Sequence, residues 1–220
     1  MNNFAVIIPA QEKNRHNELG DITSFGDTTL LEWKIAQCKE ITGAPNIFVS
    51  SSSKKIQDYV RHTGVNFLYR DLDISYSDMI NDAVNHIDAE NIILISCMTP
   101  FMDYNVYDRM LNIFMKKKPN ILVSVEKKTE YIFFRQKRLN FDDKFISRKY
   151  LDPIYITING CFIFKKDRIL NNDDFGVMLN NATFFEVDSF EATEIKDTNS
   201  YELTKELINL YFKRSLNYAQ

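Results

Sequence analysis

The run Phe4-Ala-Val-Ile-Ile8 is the feature that most constrains what this chain can fold into. Five consecutive apolar residues leave no polar face for water, so the strand they form must be covered on both sides, as in a parallel sheet. The run stops at Pro9-Ala10, and a long polar stretch follows. Leu30, Leu31, Ile35, Cys38 and Ile41 then recur at helical spacing, with Thr28 or Thr29 placed to cap the helix they mark. A buried strand, a long loop at its carboxyl end and a helix form the place where open α/β sheets bind ligands.

The rest of the chain repeats that alternation. Strand signals recur at 46–50, 65–69, 91–96, 121–125 and 184–188, and the run at 91–96 is the most apolar, which predicts a central position. Between them lie helix stripes: Ile56, Tyr59 and Val60; Met79, Ile80, Ala83, Val84 and Ile87; Val106, Met110, Leu111 and Phe114. Ser50 to Ser53 read as helix-capping serines, and Lys116 to Lys118 as cations favoured at a helix carboxyl end. A closing helix is expected to turn Leu203, Leu207, Leu210 and Tyr211 inward, with Asn199 and Glu202 as its capping box. The pattern predicts an α/β three-layer sandwich with a mostly parallel central sheet. Residues 1–220 read as one domain, with an insert at about 126–158 where aromatic and charged residues interleave.

Composition narrows the function classes. A net charge of −3 and a pI near 5.7 speak against a dedicated nucleic-acid binder. No stretch has the length of a membrane span, and the three cysteines, Cys38, Cys97 and Cys161, have no ligand spacing, which fits buried thiols in a cytoplasmic protein.

The order of motifs carries a resemblance. Ile7-Ile8-Pro9-Ala10, a polar segment and Leu30-Leu31-Glu32-Trp33 resemble the amino terminus of the sugar-acid cytidylyltransferases, which make CMP-sialic acid and CMP-3-deoxy-octulosonate. The resemblance continues through Arg70 with Ile74-Ser75-Tyr76-Ser77-Asp78, through Cys97-Met98-Thr99-Pro100 and through Leu151-Asp-Pro-Ile-Tyr155 with Asn159-Gly160. It ends at the acids Glu194 and Asp197 ahead of the closing helix. It implies a nucleotide-diphospho-sugar transferase-like, Rossmann-like fold. The implied activity is CTP-dependent transfer of CMP to a sialic-acid-like or octulosonate-like sugar, with release of pyrophosphate, for surface glycan synthesis.

The resemblance also implies roles. Arg15 and Lys13 would be the catalytic cations, and Pro9, Ala10, Gln11, Asn14, Arg70 and Ser75 would line the nucleotide. Arg148, Lys149, Asn159 and Gly160 would meet the acidic sugar, and Glu194 with Asp197 would hold Mg2+. A homodimer built through the insert is implied as well. The chain departs from the family at three places. Where the family has Arg-Gly-Gly-Ser-Lys, this chain has Gln11-Glu12-Lys13-Asn14-Arg15; Met98 stands where octulosonate enzymes place an acid; and Lys196 falls on the second family acid in a gapless match.

Other readings stay open on the residues alone. Asp71-Leu-Asp73 could hold the metal of a nucleotide-sugar glycosyltransferase, but it precedes the expected central strand. The substituted phosphate loop also suits a non-catalytic binding subunit. Aromatics and cations from Tyr131 to Tyr150 could stack on single-stranded nucleic acid, or form a hairpin packed on the sheet or on a second subunit, which the acidic charge favours. Asn159-Gly160 has a hairpin-turn reading beside its family one.

Overall fold

A computed structural model describes residues 4–14, 18–71, 74–142, 146–171, 176 and 179–217. Strand β1 (Phe4–Pro9) is followed by a two-residue ribbon, β2 (Ser24–Phe25) and β3 (Thr28–Thr29), and by helix α1 (Leu30–Lys39). Then come β4 (Ile47–Ser51), α2 (Lys54–Val60), β5 (Asn66–Tyr69), α3 (Tyr76–Asn85), β6 (Asn91–Ile95) and α4 (Tyr104–Lys117). The second half holds β7 (Ile121–Lys128), a small hairpin of β8 (Phe133–Phe134) and β9 (Lys137–Arg138), β10 (Ile154–Lys165), α5 (Lys166–Asn171), β11 (Thr183–Val187) and α6 (Thr198–Asn217).

Seven strands form one sheet in the order β11-β7-β10-β6-β1-β4-β5. β6 is central, as its composition predicts, and β10 alone runs antiparallel to its neighbours. Alternation along each strand divides the core into two layers. Val6 and Ile8 of β1, with Ile93 and Ile95 of β6, pack against α1, α2, α4 and α6 through Leu31, Ile35, Ile56, Met110 and Tyr201. Ala5 and Ile7, with Ile92 and Leu94, pack on the other face against Met79, Ile80 and Val84 of α3 and Ile169 of α5. This is the three-layer sandwich. Thr29 caps α1 by accepting from the Glu32 amide, and Ser53 caps α2 by accepting from the amides of Lys55 and Ile56. All three cysteines are buried. Among the described residues no helix is long and apolar enough to cross a membrane.

Three local expectations are corrected. Asn159-Gly160 makes no turn; it sits within β10, where the register against β7 shifts between Thr157 and Phe162. Of the expected α6 stripe, Leu207 and Tyr211 pack against the core, but Leu203 and Leu210 are 59% and 45% exposed, and the most buried residues are Tyr201 and Thr204. The α6 cap is Asp197, not Asn199. Its Oδ1 accepts from the Ser200 amide at 2.7 Å, and the Ser200 hydroxyl oxygen accepts from the amides of Lys196 and Asp197.

Candidate nucleotide site

At the carboxyl ends of β1, β5 and β6 lies a cleft of about 470 Å³. The loop after β1 contributes Pro9, Gln11 and Asn14, and a 3-10 turn at Gly20–Ile22 contributes Asp21. Arg70 follows β5, Tyr76 opens α3, and Ser96, Cys97 and Met98 follow β6. Asn159 reaches in from the irregular part of β10, and Glu194, Ile195 and Lys196 come from the segment before α6.

The loop after β1 is folded back on itself. The Asp21 amide donates to the Gln11 carbonyl at 2.9 Å, and the Gln11 amide donates to Asp21 Oδ2 at 2.7 Å. Gly20 makes this possible. Its φ is +53°, and a Cβ there would lie 2.1 Å from the Gln11 carbonyl oxygen, so no other residue fits without moving backbone. Asn14 Nδ2 lies 3.5 Å from Asp21 Oδ1. Burial pushes the Asp21 carboxyl up to about 7, against the lowering effect of the Gln11 amide, Arg70 and Asn14.

Arg70 crosses behind the same loop, its Nη2 donating to the Ala10 carbonyl at 3.2 Å. Burial lowers its pKa, while Asp21 and Tyr76 act in the opposite direction; a guanidinium remains charged there. A second hollow of about 580 Å³ shares Gln11, Arg70 and Tyr76 with the cleft and adds Glu12, Lys13, Ser52, Ser53, Asp71 and Ile74. Glu12 is turned away from open solvent by the Ser53 hydroxyl, which donates to its Oε2 at 2.6 Å. Lys13 pairs with Glu18 at 3.4 Å on the surface.

The wall after β6 is fastened from α1. Lys34 is fully buried, and its Nζ donates to the carbonyls of Thr99 and Met102 at 2.9 Å and to the Tyr107 hydroxyl at 2.7 Å. Burial pulls its pKa down to about 8. Trp33 Nε1 and Gln37 Nε2 both donate to the Pro100 carbonyl. From the other side the Ile195 amide donates to the Met98 carbonyl at 2.8 Å, which joins the pre-α6 segment to this wall.

The structure brings Pro9, Gln11, Asn14, Arg70, Asn159 and Glu194 together in the cleft, and places Lys13 in the adjoining hollow. Ala10 stands behind Arg70, and Gly160 lies where a Cβ would come within 2.6 Å of Met102. Four residues lie elsewhere. Ser75 is the N-cap of α3, accepting from the Asp78 amide, and Asp197 caps α6. Arg148 and Lys149 form a 3-10 turn in the insert, where Arg148 pairs with Glu130 at 3.2 Å and Lys149 lies over the Tyr150 ring. Arg15, with Asp73 of the D-x-D reading, lies outside the described residues. Sequence reasoning missed Asp21 and gave Lys196 no place in the cleft. Glu194 pairs with Lys196 at 3.1 Å. The one available signal for Asp21 was its position after Gly20 in an otherwise featureless polar stretch.

Side chains of both charges gather at the carboxyl ends of parallel strands in a doubly covered sheet, the place where α/β proteins of this class bind ligands. Residues 22–147 match the MobA-like NTP transferase domain, and the chain belongs to that family of nucleotidyltransferases. Its fold is similar to that of CMP:2-keto-3-deoxy-manno-octonic acid synthetase complexed with CTP, with a TM-score of 0.71 at 12% identity over 94% of this chain and 99% of that one. It is similar also to 4-diphosphocytidyl-2C-methyl-D-erythritol synthase from Anaerococcus prevotii, with a TM-score of 0.70, 12% identity and the same coverages. A cytidylyltransferase from Leptospira borgpetersenii gives a TM-score of 0.68 at 16% identity, covering 96% of this chain and 88% of that one. No curated protein sequence matches the chain.

Proposed function

We propose that the chain is a CTP-dependent cytidylyltransferase that joins CMP to a small acidic sugar. The observation that carries this reading is the cleft itself, where Arg70 and the Gln11–Asn14 loop converge at the carboxyl ends of β1 and β5. The similarity in fold to a synthetase complexed with CTP supports the choice of nucleotide. An acceptor oxygen attacks the α-phosphorus, the bond to the bridging oxygen breaks, and pyrophosphate leaves. Negative charge grows on the phosphate oxygens, and cations held in a partly dry cleft stabilise it. Arg70 is the best placed of these, with Lys13 lining the adjoining hollow; Arg15, the other cation the resemblance implies, lies outside the described residues.

A divalent cation would fit here only with substrate phosphates among its ligands, since the described residues group no three His, Cys, Asp or Glu side chains to hold one. Mg2+ commonly takes one or two carboxylates together with substrate phosphates. Glu194, one of two carboxylates lining the cleft, would hold the ion in place of its Lys196 partner; Asp197 would join it only by giving up the α6 cap. When bound, the ion neutralises phosphate charge. The acidic sugar then sits toward Asn159, with Lys196, once released from Glu194, as the near cation.

Thermal unfolding with CTP, UTP, ATP and GTP, each with Mg2+, tests the reading. CTP should raise the melting temperature most, because only a ligand of the folded state stabilises it. Equal, negligible shifts with all four nucleotides would remove the cytidylyltransferase reading.

A further inference from the structure

Asp21 is the buried titratable group to which the proposed chemistry gives no role. It is 4% exposed, yet it lines the cleft. Its Oδ2 occupies the Gln11 amide at 2.7 Å, a backbone donor of the kind that phosphate oxygens take. Among the described residues, Arg70 favours the carboxylate through its charge, and the Gln11 amide and Asn14 support it by hydrogen bonds. The Cys97 thiol beside it is held neutral by burial, the Tyr76 phenol is pushed up to about 12, and Glu194 across the cleft is paired with Lys196. Desolvation outweighs all the favourable contacts and lifts Asp21 to about 7. A triphosphate entering the same space brings several negative charges, and like charge disfavours a carboxylate further.

Resting on the nucleotide reading above, we infer that Asp21 is the proton-accepting residue of the nucleotide site: polyphosphate binding in the cleft is coupled to uptake of a proton from solvent by its carboxylate. Oδ1 gains the O–H bond while Oδ2 keeps the Gln11 amide. The cleft becomes more positive by one charge, and the new hydroxyl can donate to a ligand oxygen, which a bare carboxylate cannot do. Affinity then falls as pH rises past neutrality, approaching about tenfold per pH unit once the carboxylate dominates in the free protein.

Titration calorimetry of the full chain with Mg-CTP decides this, run at about pH 8, above the terminal-phosphate pKa of about 6. Buffers of different protonation enthalpy report the protons taken up, and methyl triphosphate, whose substituted end leaves one terminal phosphate as in CTP, serves as a base-free probe. The expected result is uptake of about half a proton or more per ligand, and uptake near zero in Asp21→Asn, whose amide oxygen still accepts from Gln11. Binding without uptake, or uptake that persists in Asp21→Asn, overturns the proton link and leaves the nucleotide reading standing. Absence of binding by both ligands overturns both. Should Asp21→Asn fail to fold, the wild-type dissociation constant between about pH 7 and about pH 9 still decides, since a flat profile is incompatible with the coupling.

Discussion

The loop after β6 and the hairpin of β8 and β9 both leave the sheet, yet the chain holds them in opposite ways. The first is anchored on every side: Lys34, Trp33 and Gln37 reach it from α1, the Ile195 amide reaches it from the segment before α6, and Thr99 and Met102 are fully buried. The hairpin turns its apolar side outward, with Phe133 61% and Phe134 59% exposed, and Arg135 and Gln136 take left-handed φ at its tip. Asn140 ties its base to the carbonyls of Glu130 and Asp152. The lesson is that a loop without regular secondary structure can be the better anchored of the two. Its stability comes from hydrogen bonds in a dry setting, whereas the aromatic hairpin has surface to spare for a partner.

Lys34→Met gives the sharpest test of that contrast. It removes one buried cation and leaves the Met102 carbonyl and the Tyr107 hydroxyl without that donor, while the Thr99 carbonyl keeps the Met102 amide, so unfolding in urea should show a loss of about 3–5 kcal/mol. A loss below about 1 kcal/mol would mean that the Lys34 bonds add nothing net to what Trp33, Gln37 and the Ile195 amide supply.

Asp21 probes the same region in the other direction. Its carboxyl is raised in the folded chain, so between the ordinary carboxylate range and about 7 the folded state holds more protons than the unfolded one. Stability attributable to this residue is therefore lost as pH rises through that window. Asp21→Asn should be more stable than the wild type by about 2–4 kcal/mol at about pH 8, and the gain should vanish near pH 4. A pH-independent difference in chemical denaturation would contradict the burial argument.

Gly20→Ala should cost about 2–3 kcal/mol, from the left-handed φ and the forced retreat of the Gln11 carbonyl. Calorimetric melting of the two proteins would show it, and an unchanged melting temperature would mean that the loop after β1 opens freely. The smallest effect on stability belongs to the hairpin. Phe133→Ser with Phe134→Ser should leave unfolding within about 0.5 kcal/mol, because neither ring is buried in the chain. The same pair should convert a dimer to a monomer in light scattering, since we propose that the insert is the contact between two copies. A wild type that scatters as a monomer at micromolar concentration would end that proposal.

The same contrast explains what was legible in the sequence. β1 and β6 could be read because both faces are covered, so their residues form unbroken apolar runs. The α3 stripe could be read because Met79, Ile80, Ala83 and Val84 are all apolar and all buried. In α6 the buried face carries Tyr201, whose hydroxyl donates to the Ser24 carbonyl, and Thr204, whose hydroxyl bonds back to the Ser200 carbonyl. Polar composition hid that face, and Leu203 and Leu210 imitated it. Gln11, Asn14, Arg70, Asn159 and Glu194 could be placed in the cleft from the order of motifs. Asp21 could not, because its burial arises from a fold-back onto Gln11 that no local pattern records. Asn159-Gly160 left a turn and a strand reading open, and the structure gives neither a turn nor a regular pair: the dipeptide lies in the bulge of β10 between Thr157 and Phe162.

That long strand joins the two contrasted regions mechanically. β10 begins at Ile154 beside the insert, pairs there with the outer end of β7, passes Asn159 in the cleft and ends against β6 at the centre of the sheet. Near its middle the Ser124 hydroxyl engages the carbonyls of Ile158 and Cys161 and accepts from the Cys161 amide. The strand is thus a beam seated on β7 at both ends and spliced in the middle, with Ser124 bracing the splice. The splice is also where Asn159 meets the cleft, so the part of β10 least held by its neighbour is the part that faces the ligand space.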